Sequence, residues 1–82
     1  MHVGVVDHKG CQIIYSLTGN EAIGYSAHAK ITLLGNKQAV YIPIQLDRTF
    51  DKYMGAEDAI IALAQNFIDK YLIHSTEEEH HG

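Results

Sequence analysis

The chain has 82 residues, 46% hydrophobic and 20% charged, with ten acids against six bases for a net charge of −4. That is globular composition at a length allowing one domain with a thin core, for which oligomerisation is a common remedy. The single cysteine excludes a disulfide-stapled scaffold, and no stretch reads as a signal peptide or membrane span, so the expected compartment is the cytoplasm.

Val3 to Val6 reads as a first, short strand weakened by Gly4, so the sheet is four-stranded, or three-stranded without it. Asp7-His8-Lys9-Gly10 reads as a tight hairpin loop. Cys11 to Thr18 then alternates, with Cys11, Ile13, Tyr15 and Leu17 on the apolar side. Gly19-Asn20 marks the next junction, and the alternation of Tyr25 to Leu33 is unbroken. After Gly35-Asn36, Val40 to Leu46 carries its aliphatics at even positions. Short loops favour an antiparallel meander in the order 1-2-3-4. Pro43, which has no N–H for a ladder, then falls on the edge strand that such a meander creates.

From Ala56 the period lengthens. Ala56, Ile60, Leu63, Ala64, Phe67 and Tyr71 mark one face of a helix placed at Gly55 to His74, with Leu63 and Phe67 at its buried centre. Glu57 and Asp58 suit its first turn, and Lys70 and His74 its last. Ile61, Ile68 and Leu72 form a second stripe, widening the apolar arc to roughly 180°. Either the sheet curls over that stripe, or it meets another subunit; the thin core favours the subunit contact. The fold class is therefore α+β, a ββββα two-layer sandwich over 1–74, followed by an acidic, His-containing tail at 75–82 that is expected to be disordered.

The charge excess belongs to Glu77, Glu78 and Glu79; without them seven acids meet six bases, leaving no basic field for nucleic acid. His8-x-x-Cys11 supplies at most two metal ligands, and strand parity turns Cys11 inward as a small hydrophobe. No metal or cofactor is expected. Ser26, His28 and Lys30 share the polar face of the longest strand, but residues two apart stand roughly 7 Å from one another, too far for proton transfer. No nucleophile, zinc or phosphate-loop motif occurs, so no enzyme is expected. Phe50, Tyr53 and Met54 are too apolar for a free loop and should cap one end of the core, the alternative being a small hydrophobic ligand pocket beneath them.

Gly24-Tyr25-Ser26-Ala27, then Phe50, then Glu57-Asp58-Ala59-Ile60 opening a helix, resembles the small antitoxins of bacterial HicAB systems over the middle two-thirds of the chain. Those also set a short antiparallel sheet before a helix that begins with acids and alanine. Within these 82 residues the family's Pro-Asp-Leu turn motif and C-terminal DNA-binding segment are absent, and no residue role is carried over.

The expectation is a small non-enzymatic interaction or regulatory module, a homodimer. A partner would meet the outer sheet face at Ile14, His28, Lys30, Tyr41 and Pro43, among Ser16, Thr18, Thr32 and Gln45, and the dimer contact would use Ile61, Ile68 and Leu72. The alternative is a module binding nucleic acid or a toxin through that same sheet face.

Overall fold

A computed structural model describes residues 2–33 and 41–72, with only the backbone of Leu72. Strands β1 (His2–His8), β2 (Cys11–Asn20), β3 (Gly24–Leu33) and β4 (Tyr41–Gln45) form one antiparallel sheet in the order β1-β2-β3-β4, and helix α1 (Tyr53–Phe67) follows. This is the expected ββββα two-layer arrangement, with Pro43 on an edge strand. The Gly35-Asn36 turn, Val40, Ile73, His74 and the tail at 75–82 lie outside the described residues.

The first strand is longer than its alternation suggested, and the reason is Tyr15. Gly4 lies opposite Tyr15, whose ring occupies the space that a Cβ on residue 4 would need. The glycine that lowers strand propensity is therefore covered by an aromatic from the neighbouring strand. The turn shrinks to Lys9 and Gly10, at φ 49° and 81°, the positive pair of a type I′ hairpin.

On the inner face Ile13, Leu17, Ala27, Ala29 and Ile31 pack against Ala56, Ile60, Ala64 and Ile68. Small residues on both sides of this seam let the helix approach the sheet closely. The helix lies on β2 and β3, with a smaller contact to β4.

The helix departs from expectation in several ways. It starts at Tyr53, so Glu57 and Asp58 fall beyond its first turn. It gives way to a π-helical turn over Ile68–Leu72, which holds Lys70. Its buried row is Ala56, Ile60, Ala64 and Ile68, the i, i+4 series, while Leu63 is 39% and Tyr71 61% exposed. Phe67 is only half-buried. The face is rotated toward what looked like a second stripe. Ile68 is fully buried within the single chain and Ile61 packs against the core, so the sheet of the same chain covers them. Ile68 is thus unavailable as a subunit contact, and the side chain of Leu72 lies outside the described residues. Met54, expected at the core end, is 68% exposed, whereas Phe50 and Tyr53 pack there as expected. No helix among the described residues is long and apolar enough to cross a membrane.

Candidate binding face

Cross-strand register sets the outer face in rows. Val5, Ile14, Lys30 and Pro43 stand side by side across all four strands; Val3, Ser16, His28 and Gln45 form the next row, and Asp7, Gln12, Thr32 and Tyr41 the row on the other side. All five residues expected on this face are therefore on it. Val3, Val5 and Tyr41 are more than half exposed, and Ile14 is 37% exposed. Sequence reading missed the two valines, because the first strand was too faint to assign its faces. Lys30 sits between Ile14 and Pro43, a single cation framed by apolar neighbours.

Beside Lys30, Ser16 Oγ and His28 Nε2 share a 2.8 Å hydrogen bond whose direction follows the imidazole tautomer. A shallow hollow of about 220 Å³, lined by Val3, Ile14, Ser16, His28 and Lys30 among others, opens over the pair. Proximity along one strand could not reveal this contact, because the partners lie on different strands. The pair has the spacing of a nucleophile and base, but a hydrolase also needs donors for an oxyanion. Around Ser16 the N–H groups of the interior strands β2 and β3 are consumed by their ladders, while Val3, opposite Ser16, belongs to the edge strand β1. Ser16 is buried and His28 exposed, so the bond joins a buried hydroxyl to an exposed ring.

Two polar clusters fasten the sheet to the helix. At one end the Tyr15 hydroxyl donates to Glu57 Oε2 at 2.8 Å, and His2 Nε2 stands 3.6 Å from the same oxygen. The bond to Glu57, together with burial and the carboxylate charge, pushes the Tyr15 phenol up to about 12. Burial, with the Glu57 charge adding to it, also raises the Tyr53 phenol. Tyr53 meets His2 and Tyr25 edge-on, and a hollow of about 390 Å³ opens between these rings and Leu17, Thr18 and Gly19. This hollow adjoins the segment where the sequence suggested a ligand pocket.

At the other end His8 Nε2 donates to Asp69 Oδ1 at 2.8 Å, with Lys9 Nζ at 3.1 Å. These two bonds hold the Asp69 carboxyl below the usual carboxylate range. His8 is thus engaged by a carboxylate, while Cys11, opposite it in the hairpin, is buried, and burial raises its thiol. No group of three metal-ligating side chains occurs among the described residues.

The chain matches no family model, no curated protein and no solved structure. The likeness to antitoxins therefore stands on residue order alone.

Proposed function

We propose that the protein is a non-enzymatic interaction module, and that its outer sheet face binds a protein partner. One observation carries this reading: among the described residues the helix covers only one face of the sheet, and the opposite face gathers Val3, Val5, Ile14, Tyr41 and Pro43 around Lys30. Contiguous apolar side chains around a few polar groups are the composition of a protein-binding patch. The chemistry favours a partner surface with apolar side chains and a carboxylate placed to reach Lys30. Single-stranded nucleic acid would ask for several stacking aromatics and a positive groove. Here Tyr41 stands alone among aromatics on the described rows, and residues 1–54 hold five bases against four acids.

The test is affinity capture from the source cell with the wild type, an Ile14→Asp/Tyr41→Ala variant, and a Leu63→Asp control on the exposed side of the helix. A partner held by the wild type and the control but lost by the face variant supports the reading. Equal retention by all three refutes it. Salt-dependent retention on heparin, abolished by Lys30→Glu, would favour nucleic acid instead.

A further inference from the structure

The two edges of the sheet differ in a way the backbone phase makes legible. Tyr25 and Phe50 exchange both N–H···O bonds, at 2.7 and 2.8 Å, and the Leu46 N–H donates to the Ala27 carbonyl at 3.1 Å. Odd residues of β3 therefore bond toward β4, and its even residues bond toward β2. Carried through the register, this makes the odd residues of β2 bond toward the even residues of β1. The Lys9-Gly10 hairpin gives the same phase independently, because a two-residue turn is closed by a hydrogen-bonded pair, here His8 and Cys11.

Two consequences follow. On β4, Ile42 and Ile44 bond inward and Pro43 faces outward, so the proline sacrifices no ladder bond and removes a donor from the free edge. That edge is short and blunted. On β1, His2, Gly4, Val6 and His8 bond inward, and Val3, Val5 and Asp7 direct their N–H and C=O groups away from β2, where no described residue bonds them. This edge is seven residues long, with no proline, no lysine and an unbroken register. Among the described residues, Asp7 is the one usual protection against strand addition on this edge. The principal packing of α1 is on β2, β3 and β4, and the helical segment reaches β1 through side chains at its ends, His2 beside Tyr53 and Glu57 and His8 beside Asp69, on the inner face and away from the free edge.

We infer that the β1 edge pairs antiparallel with β1 of a second copy of this chain, about a two-fold axis through Val5. In that register Val5 faces Val5 of the second copy, and Val3 faces Asp7. Each outward-directed residue then finds a doubly bonded partner, and the strands overlap along their full length. A shift of two residues in either direction leaves one end unpaired. The two Asp7 carboxylates lie four residues apart along the pair, about 13 Å, so like charges do not meet. Pro43 at the far edge stops the sheet from growing further, so the assembly closes as a dimer instead of extending as a fibre. Pairing also brings Val3, Val5 and Ile14 of both copies together at the middle of one eight-stranded outer face. The inference concerns the backbone edge and not the outer-face partner; Val3 and Val5 belong to both, so the test below reads self-association and amide protection and not partner capture, and it leaves Ile14, Lys30, Tyr41 and Pro43 unchanged.

The experiment is sedimentation equilibrium from micromolar to millimolar concentration, combined with amide exchange by NMR. The wild type should reach twice the 9.1 kDa chain mass. As it does, the N–H groups of Val3, Val5 and Asp7 should become protected, while those of Gly4 and Val6 are protected at every concentration. Val5→Pro and Val3→Pro each remove an outward N–H, so both variants should keep the wild-type circular dichroism and sediment as monomers. A wild type that is monomeric at millimolar concentration overturns the inference. So does a dimer in which the Val3, Val5 and Asp7 amides still exchange freely, or a folded Val5→Pro variant that still dimerises.

Discussion

Replacing Ile68 by alanine tests the rotation of the helix directly. Ile68 has no solvent exposure, and it closes the row begun by Ala56, Ile60 and Ala64. Truncating a fully buried isoleucine removes its transfer energy and leaves a cavity, together about 3 kcal/mol. A chain of this length is stable by about 4–12 kcal/mol in total, so the loss is a large share. At about 4–8 °C per kcal/mol, the melting temperature should fall by about 12–24 °C. Leu63, with 39% of its surface still in water, should cost about 1 kcal/mol on the same change. Urea unfolding followed by circular dichroism reads both values. If Leu63→Ala costs more than Ile68→Ala, the helix presents its other face to the sheet and the packing described above is wrong. Ile68→Glu sharpens the test, because a charge with no partner inside one chain unfolds it, whereas a charge in a subunit contact would only separate two folded monomers.

The Tyr15 phenol, raised from 10 to about 12, favours the native state below pH 10, and that contribution is lost as the pH climbs through 12; absorbance titration should find Tyr15 the latest tyrosine, with Tyr53 also delayed, and Glu57→Gln should bring both to lower pH. Asp69 runs the opposite way: its lowered pKa contributes stability above the ordinary carboxylate value that is lost in acid, so Asp69→Asn should flatten the acid limb of the melting-temperature profile. Gly4→Ala should destabilise, because the new methyl would meet the Tyr15 ring, and Tyr15 should titrate earlier in the same sample. Ser16 should resist a fluorophosphonate probe, since it is buried and the N–H groups of β2 and β3 beside it are held in the ladder; stoichiometric labelling at Ser16 would show an active nucleophile and refute the non-enzymatic reading.

The parts legible in the sequence were those that depend on local period. Alternation placed Ile14, His28, Lys30, Tyr41 and Pro43 on one face because parity is a property of each strand alone. The helix face was not legible, because an apolar arc of roughly 180° has no unique centre. The buried row on the Ile68 side carries alanines at 56 and 64, which share the core with Ala27 and Ala29 and allow the helix to sit close to the sheet. Alanine contributes little to an apolar count and a great deal to how near two backbones come. The Ser16–His28 contact was hidden for a different reason. It depends on the register between β2 and β3, which is fixed only once the turn at Glu21, Ala22 and Ile23 is known, with the Asn20 side chain accepting from the Ala22 and Ile23 N–H groups.

Gly4 and Tyr15 account for the unequal edges. A helix centred on β2 and β3 meets β1 chiefly at its ends, through His2 and His8, and Val6 is the one aliphatic of the strand packed against the core. The Tyr15 ring lies over Gly4, and Glu57 fixes the ring by its hydroxyl. At the opposite end of β1, Asp69 holds His8 and Lys9. The strand is therefore fastened at its ends by contacts to Tyr53, Glu57 and Asp69 and along its middle by the Tyr15 ring and Val6, where β2 and β3 are held by the continuous core. Local opening should begin at β1, and pairing of its free edge with a second copy would remove that weakness without any change to the core.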